Sequence, residues 1–328
     1  TYRHPGLVTL SPGRAALESD ALLEAGKLRG IHPSMLKELA IITITVSNLA
    51  QVESAWEELF DYRVQDRGTV SSELGDYWVA TEMTGHEYII MQPANSAPVY
   101  IRFVEDPAVT EYMPMTSHGW NATELLVRDP DQIAIRMKDS AFRVIGAPKD
   151  LWPAPNAPRV MQAVGPGQEL LYLTRNQQAA GALGLGDDMP MVERPFIMVV
   201  GGPSMDELMS FYGDKLGLQV DPPSLFKITT ISRSNNLDME TTYPLSIAYA
   251  APGYLIEMDE LPEGIGPREV QEGHLPPGVA IVGFTTNGIN DDVEWVSKLR
   301  TIEDFPYNGR TAGIIKGPAG ELIEVIVE

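Results

Sequence analysis

Histidine and cysteine side chains are common ligands of transition metals, and this chain has five of the first and none of the second. The absence of cysteine excludes disulfides, thiolate metal sites, iron–sulfur clusters and cysteine nucleophiles. Iron(II) and zinc favour sites in which imidazole accompanies carboxylate, so the histidine positions decide whether such a site is available. All five histidines fall in predicted turns or loops, where a solvated role is expected: His4, His32, His86, His118 and His274. Only His118, just ahead of a predicted strand, could lean into a binding site.

The chain is strongly acidic. Its 328 residues include 45 acidic and 24 basic side chains, which gives a formal net charge of −21. This charge repels phosphate backbones and anionic lipid headgroups, so neither nucleic acid nor a membrane surface is an expected partner. Hydrophobic residues make up 44% and charged residues 21%, a balance typical of a globular protein with a full core. The length favours two domains or one large composite.

Residues 1–40 have no charged-then-apolar signal pattern, and no run approaches the roughly 20 apolar residues of a membrane helix. We therefore expect no membrane span and a cytoplasmic location. Within this leader, which could serve as a docking arm, Ser11 and Pro12 suit the start of a helix that reaches Leu28.

A β-α-β-β-β order follows the leader. The alternating run Ile41–Val46 predicts a strand, and Ser47 and Asn48 then predict the cap of an amphipathic helix. Three further strands are predicted from runs separated by turn residues: Tyr77–Met83, Tyr88–Gln92 and Val99–Glu105.

The same order recurs three times, so we interpret the chain as four modules rather than a solenoid. The second, third and fourth modules open with the strands Asn121–Val127, Phe196–Val200 and Val279–Thr285. Predicted later elements include a strand at Leu225–Ser232 and a helix at Asp291–Leu299. The predicted division is a first pair of modules at 41–176, a linker at 177–190 and a second pair at 191–328.

Two segments resemble the vicinal oxygen chelate superfamily of glyoxalases, extradiol dioxygenases and bleomycin resistance proteins. FYGDKLGL at Phe211–Leu218, echoed by LFDYRV at Leu59–Val64, is similar to the family's helix-to-strand corner. GPAGELIEVIVE at Gly317–Glu328 is similar to its last turn and strand. The resemblance runs from about Leu39 to the C-terminus. It implies an α+β fold in which paired modules form two cup-shaped, mostly antiparallel sheets.

The resemblance also implies where metal ligands would lie, on the first and last strands of each module. The first-strand positions, by our alignment, are Ile41, Ala122, Pro195 and Val279, none of which can bind a metal. The last-strand positions are Arg102, Tyr172, Glu257 and Glu324. Two carboxylates without imidazole make a poor site for iron(II) or zinc, so a metal-free protein is favoured and a divalent metal disfavoured.

If consecutive modules pair, the first cup gathers Thr43, Arg102, Glu124 and Tyr172. Arg102 offers a fixed fork of donors to a carboxylate, enolate or phenolate, and Tyr172 can hydrogen-bond the same oxygen. Glu124 could act as a general base, or it could neutralise Arg102 in a structural ion pair.

The second cup would then contain Glu257 and Glu324 near Val199, Ile281 and Gly283. In this apolar surround the two carboxyls could share a proton as an acid/base pair, or they could be solvated at a rim. Aromatic residues on or near strands, Trp120 among them, suit a flat hydrophobic ligand, although most are expected in the core.

We therefore predict a metal-independent lyase, isomerase or hydrolase that acts on a small aromatic or carbonyl compound, with Arg102 and Tyr172 stabilising negative charge. Glu124, Glu257 and Glu324 complete the predicted catalytic set, and Thr43, His118 and Trp120 the substrate-binding set. One alternative is a protein that sequesters a hydrophobic small molecule without chemistry. Another is a metal-dependent dioxygenase or glyoxalase-like enzyme. A homodimer is compatible with the exposed sheet edges of such a fold.

Overall fold

The computed structural model of the chain describes residues 34–109, 111–288 and 293–328. These residues form one compact unit that starts at Ser34. The predicted helix that ends at Leu28 lies outside the described residues. In the described part of the chain, no helix has both the length and the apolar composition needed to cross a membrane.

In the first module, one predicted strand is wrong. Its elements are β1 (Leu39–Val46), α1 (Leu49–Phe60), β2 (Arg63–Thr69), α2 (Ser72–Trp78), β3 (Glu87–Gln92) and β4 (Tyr100–Glu105). The segment Tyr77–Met83, predicted as a strand, contains the end of α2 and the short 3-10 helix Thr81–Met83. The second strand is instead β2, whose polar residues alternate between exposed and half-buried positions at a sheet edge. Such a strand has no hydrophobic run to reveal it.

The second and third modules contain the elements β5 (Gly119–Val127), α3 (Pro130–Met137), β6 (Arg143–Asp150), β7 (Arg159–Val164), β8 (Leu170–Arg175), α4 (Gln177–Ala182), β9 (Val192–Gly202), α5 (Met205–Met209, continued by a π-helical turn at Ser210–Lys215), β10 (Gln219–Val220), β11 (Ser224–Phe226), α6 (Thr229–Ser234), β12 (Tyr243–Ala251) and β13 (Tyr254–Glu260). Helix α4 lies within the predicted linker. The predicted strand Leu225–Ser232 is wrong, because only its start belongs to β11 and most of its remainder forms α6.

The fourth module contains β14 (Gly278–Thr286), β15 (Trp295–Ile302), β16 (Arg310–Lys316) and β17 (Leu322–Val327). The helix predicted at Asp291–Leu299 is wrong, because Trp295–Ile302 is an edge strand that pairs with β16.

The strands form two sheets, and each sheet combines two modules. The pairing of the modules differs from the one predicted from the sequence. The eight-stranded sheet has the order β15-β16-β17-β14-β1-β4-β3-β2, and the nine-stranded sheet has the order β10-β12-β13-β9-β5-β8-β7-β6 with β11 paired to β12. The first module thus joins the fourth through antiparallel pairing of β1 with β14, and the second joins the third through β5 and β9. The predicted pairs at 41–176 and 191–328 are wrong. The α+β fold of two sheets is confirmed.

Each sheet has two buried faces. The largest apolar cluster contains residues of α1, α3 and α5 together with residues of both sheets. On the first sheet a second cluster includes Ile41, Ile90, Val104, Ile281, Ile314 and Ile326, and we call this face cup A. On the second sheet the corresponding cluster includes Ala122, Val160, Leu170, Val199, Tyr243 and Ile231, and we call this face cup B. Helix α2 contributes to cup A and helix α6 to cup B.

Two equivalent hydrogen bonds attach a helix of one sheet to a turn of the other. Trp56 Nε1 on α1 donates to Glu169 Oε1 just before β8, and the distance is 2.9 Å. Tyr212, in the turn that continues α5, donates its hydroxyl to Glu321 Oε1 just before β17, also at 2.9 Å. Burial raises the pKa of each glutamate to about 7, and the hydrogen bond opposes that rise. We call these two contacts the glutamate joints.

Candidate functional site

The first strand of each module runs parallel to its last strand, and the register defines four equivalent positions. The paired residues are Thr43 with Arg102, Glu124 with Tyr172, Val199 with Glu257, and Gly283 with Glu324. This register agrees with the sequence alignment of the last strands. Because side chains alternate along a strand, residues two positions earlier on the first strands face the same way.

The alignment of the first strands needs a correction. Ile41 and Ala122 lie two residues before their paired positions, and the equivalents in the third and fourth modules are Ile197 and Ile281. Pro195 and Val279, aligned from the sequence, are each two residues too early. The chemical conclusion is unchanged, because aliphatic side chains cannot coordinate a metal.

The two cups divide the predicted catalytic residues differently from the sequence analysis. Arg102 and Glu324 belong to cup A, whereas Glu124, Tyr172 and Glu257 belong to the sheet of cup B. Arg102 and Tyr172 therefore cannot act on one substrate oxygen. The suggested pair of Glu257 and Glu324 is divided in the same way. The predicted cups combined residues of consecutive modules, whereas the first module shares its sheet with the fourth and the second shares its sheet with the third.

Cup A contains a buried chain of polar contacts. Arg102 Nη1 donates to the Tyr307 hydroxyl at 3.2 Å, and that hydroxyl donates to Glu324 Oε1 at 2.9 Å. The exposed fractions of the three residues are 1%, 0% and 1%, so solvent does not reach them. Burial raises the pKa of Glu324, and the positive charge of Arg102 opposes that rise. Thr43, opposite Arg102, is buried as well.

The guanidinium of Arg102 lies among aromatic rings. Its Cζ atom is 5.2 Å from the ring centroid of Trp78, 5.9 Å from that of Tyr88 and 5.4 Å from that of Tyr307. These distances allow cation–π attraction in a desolvated setting. The Nε and Nη2 atoms of Arg102 have no hydrogen-bond partner, nor does Trp78 Nε1. Cup A is thus closed, cationic at its centre and short of acceptors.

Cup B contains a cluster of three carboxyls. Glu124 lies on β5, and Glu257 and Asp259 lie on the same face of β13. Glu124 and Asp259 are buried, whereas Glu257 remains partly exposed. Ile247, paired with Glu257 across β12 and β13, is partly exposed too. Cup B is therefore accessible near Glu257.

All three carboxyls of cup B hold protons more tightly than usual. Burial raises the pKa of Glu124 to about 7 and that of Asp259 to about 8. The pKa of Glu257 is raised well above its usual range by burial and by the negative charges of Asp259 and Glu124. Both oxygens of Asp259 lack a hydrogen-bond partner. Because Glu257 interacts with Glu124 and Asp259, the protonation of each of these carboxyls affects the others.

Tyr172 contributes a hydroxyl to the same face. Its oxygen is 2.8 Å from Thr230 Oγ1 on α6. Burial, followed by the charges of Glu257 and Asp259, raises the pKa of Tyr172 well above its usual value. The phenol therefore stays protonated, and it can donate a hydrogen bond to an oxygen that gains negative charge.

The predicted substrate-binding residues His118 and Trp120 lie in neither cup. Trp120 belongs to the apolar cluster between the sheets and donates its Nε1 to the Leu322 carbonyl at 2.8 Å. His118 and Trp120 line a separate small cavity of about 110 Å³ beside Arg268 and Lys316. Burial lowers the pKa of His118, which disfavours its charged form.

The other histidines do not assemble a site either. His274 Nδ1 is 2.8 Å from Asp106 Oδ2, and its ring centroid is 6.1 Å from that of His86. His4 and His32 lie outside the described residues. Across residues 34–109, 111–288 and 293–328, no group of three or more histidine, cysteine, aspartate or glutamate side chains is arranged to hold a metal ion. At the paired first- and last-strand positions of the described residues, the side chains are Thr43, Arg102, Glu124, Tyr172, Val199, Glu257, Gly283 and Glu324. This set has no imidazole, so it does not fit the donor preference of iron(II) or zinc.

Sequence reasoning missed two residues of these clusters. Asp259 follows Glu257 by two positions, so strand alternation alone could have placed it on the same face. Tyr307 lies in a loop between β15 and β16, and no periodicity marks it. Its role depends on its contacts with Arg102, which is 205 positions away, and with Glu324, which is 17 positions away.

Comparisons with known proteins agree with this topology. No family model matches the sequence, and no curated protein matches it either. Glyoxalase I from Zea mays is structurally similar, with a TM-score of 0.59 at 12% identity over 88% of this chain and 92% of that one. A putative dioxygenase from Bacillus subtilis has a TM-score of 0.57 at 12% identity over 90% of this chain and 86% of that one. Together with the four repeated modules, these similarities show that the chain has the vicinal oxygen chelate fold.

Proposed function

We propose that the chain is a metal-independent lyase or isomerase, and that cup B is its active site. One observation carries the proposal: Glu124, Glu257 and Asp259 lie on one face of the second sheet, which is partly exposed at Glu257, and the pKa of each is raised, to about 7 for Glu124 and about 8 for Asp259. General acid–base catalysis is most effective when the pKa of the catalytic group lies near the working pH. Strongly perturbed titratable groups in a cleft are typical of catalytic sites.

The reaction that suits this cluster is proton transfer at a carbon next to a carbonyl group. The ionised carboxyl of the cluster takes the carbon-bound proton, and the electron pair of that bond forms the enol double bond. As the pair of electrons of the C=O π bond moves to oxygen, a protonated carboxyl gives its proton to that oxygen, and the enol forms. Return of a proton to carbon re-forms the carbonyl group as the enol hydroxyl loses its proton, so no external oxidant or reductant is required. Glu257 is the group that meets the substrate first, because it alone of the three is partly exposed.

Tyr172 takes the part that the sequence analysis gave jointly to Arg102 and Tyr172. Its protonated hydroxyl, held at 2.8 Å from Thr230, can donate to the oxygen of the forming enolate. Arg102 has no part in this step because it belongs to the other sheet.

The surroundings favour an uncharged, compact substrate. Ala122, Val199, Ile231 and Tyr243 supply an apolar lining to cup B. The ionised carboxyl that acts as the base would repel an anionic substrate through Coulomb repulsion. We therefore propose a small aromatic or carbonyl compound without a negative charge.

Deuterium exchange tests this proposal without a known substrate. The full chain, dialysed against EDTA, is incubated in D₂O with neutral ketones such as hydroxyacetone and acetophenone, and ¹H NMR follows loss of the α-proton signal. We expect exchange above the buffer rate, and we expect Glu257→Gln to slow it by about 100-fold or more, in line with general acid–base catalysis. Glu169→Gln is the matched control, because Glu169 is buried with a pKa of about 7 but lies outside the cup. Full exchange by Glu257→Gln would refute the proposal.

The same samples separate catalysis from sequestration. A ligand that binds saturably, with no α-proton exchange and no product, indicates the binding protein that we gave as the alternative. Restoration of exchange by a divalent metal after EDTA treatment indicates the metal-dependent alternative instead.

A further inference from the structure

Arg102 presents one unused edge of its guanidinium inside cup A. Nη1 is engaged with Tyr307, whereas Nε and Nη2 have no partner and the residue is 1% exposed. Nε and Nη2 are the two atoms of one side of the planar group. That side can bind a carboxylate through two parallel hydrogen bonds.

The carboxyl already present does not occupy this edge. Glu324 is linked to Arg102 through the Tyr307 hydroxyl, and Tyr307 contacts the opposite end of the guanidinium, at Nη1. Charge compensation of Arg102 is thus indirect. A buried cation with two free donors is expected to have an acceptor of its own.

One neighbouring donor is also unused. Trp78 Nε1 is buried and lacks a partner, whereas the hydroxyl of Tyr77 interacts with the carboxyl of Glu324 and helps to lower its pKa. Both side chains belong to the cluster around Arg102. The ring of Trp78 lies 5.2 Å from the Arg102 Cζ atom, and the ring centroids of Tyr77 and Tyr307 are 6.5 Å apart. Three donor atoms on two adjacent side chains, Arg102 and Trp78, therefore lack an acceptor in one enclosed place.

The rest of the cup suits an apolar group attached to the anion. Aromatic rings and the aliphatic side chains of cup A surround the cluster. A cavity of about 460 Å³ lies at one end of the central strands of the cup and is lined by Ile41, Tyr100, Tyr307 and Ile326, among others. Tyr307 lines this cavity while its hydroxyl contacts Arg102. The charged residues of the lining are Arg310, Glu38 and Glu328.

We propose that cup A is a binding site for a small monocarboxylate with an apolar tail, held bidentately on the Nε and Nη2 edge of Arg102. Trp78 Nε1 completes the set of donors. Glu324, which accepts a hydrogen bond from Tyr307, and Asp66, which accepts one from Tyr88, are acidic groups close to the cluster, so a ligand with a single negative charge fits best. This site is separate from cup B, so it does not rest on the proposed function.

Isothermal titration calorimetry of the full chain with sodium benzoate tests the site. Benzamide is the neutral ligand of the same shape, and sodium chloride at equal ionic strength controls for general salt effects. We expect one benzoate per chain and at least tenfold weaker binding of benzamide. Equal binding of the two ligands, equal effects of chloride, or absence of saturable heat would overturn the proposal.

Variants assign the binding to the Arg102 edge. Arg102→Lys keeps the charge but loses the two-donor edge, so benzoate should bind at least tenfold more weakly. Arg194→Lys is the matched control, since Arg194 is half-buried and lies on β9 outside cup A. Trp78→Phe removes an unpartnered donor and should fold even if Arg102→Lys does not. It should weaken benzoate binding severalfold. Wild-type affinity in this variant would contradict the donor set.

Discussion

Cups A and B occupy equivalent places in the fold, yet they treat buried charge in opposite ways. In cup A the carboxyl of Glu324 is compensated by Arg102 through Tyr307, and the whole cluster is closed to solvent. In cup B, burial raises the pKa values of Glu124, Glu257 and Asp259, and the negative charges of Asp259 and Glu124 raise that of Glu257 further. Cup A therefore holds a fixed charge distribution, whereas cup B stores protons that can be exchanged.

The difference arises from single residues at equivalent positions. Arg102 and Tyr172 occupy the same place on the last strands of the first and second modules. Glu257 and Glu324 occupy that place in the third and fourth modules. One cup thus combines a glutamate with an arginine and the other combines a glutamate with a tyrosine. A single substitution at a ligand position determines whether the neighbouring carboxyl is neutralised by a cation or by a proton.

Removing the cation from cup A should have the largest effect on stability. Arg102→Met leaves Glu324 buried without compensating charge, and breaking a buried pair in this way costs about 3–5 kcal/mol of the free energy of unfolding. Urea denaturation at pH 8, where Glu324 is more fully ionised, measures this loss.

The double variant Arg102→Met, Glu324→Gln provides the control. With neither charge left in the cup, the double variant should be more stable than the sum of the two single losses predicts. Strict additivity would show that the two residues are not coupled through Tyr307.

Removing one acidic side chain from cup B should raise the free energy of unfolding at high pH, whereas removing the cation from cup A should lower it. Asp259 has a pKa of about 8 in the folded chain and about 4 in an unfolded one, so the folded state binds its proton more tightly. Stability from this group is complete below about pH 4 and is lost as the pH rises towards 8. Each pKa unit corresponds to about 1.4 kcal/mol. Relative to the wild type, Asp259→Asn should therefore gain about 2 kcal/mol or more between pH 5 and pH 8.

Urea denaturation curves recorded at each pH unit from 5 to 8 check this slope. Glu240→Gln, at an exposed carboxyl, is the control and should run parallel to the wild type. Parallel curves for Asp259→Asn as well would mean that Asp259 ionises normally and that cup B does not store protons.

The sequence predicted the class of the fold because its signals are local. The corner at Phe211–Leu218 ends with Gly217 at a positive φ of 70°, a conformation that glycine adopts without strain. The buried runs that became β1, β5 and β14 were predicted close to their observed bounds. Edge strands β2 and β15 were missed because their polar residues carry no apolar periodicity.

The composition of each cup could not be predicted from the sequence in the same way. Which modules share a sheet depends on whether β1 pairs with β14, as it does, or with a strand of the second module, and the apolar run of β1 does not name its partner. The last-strand residues were predicted correctly as equivalent positions. The residues that share a cup with each of them were not. Tyr307 connects Arg102 to Glu324 only after β1 and β14 have paired. Local patterns contain no information on that pairing.

Removing the hydrogen-bond donor of either glutamate joint should lower the free energy of unfolding in the same way. This loss should be the smallest of the predicted effects. Tyr212→Phe removes the hydroxyl that donates to Glu321 and changes little else, so it should cost about 1 kcal/mol at neutral pH. The loss should shrink at pH 5, because the hydrogen bond opposes the rise in the pKa of Glu321 and so favours its ionised form. Thermal and urea unfolding at pH 5 and pH 8 measure the difference.

Trp56→Phe removes the equivalent donor to Glu169 and should show the same direction of pH dependence, with a larger total loss from the smaller ring. Opposite pH dependences in the two variants would mean that the joints differ as the cups do, and that the asymmetry between Arg102 and Tyr172 extends to the contacts between the sheets.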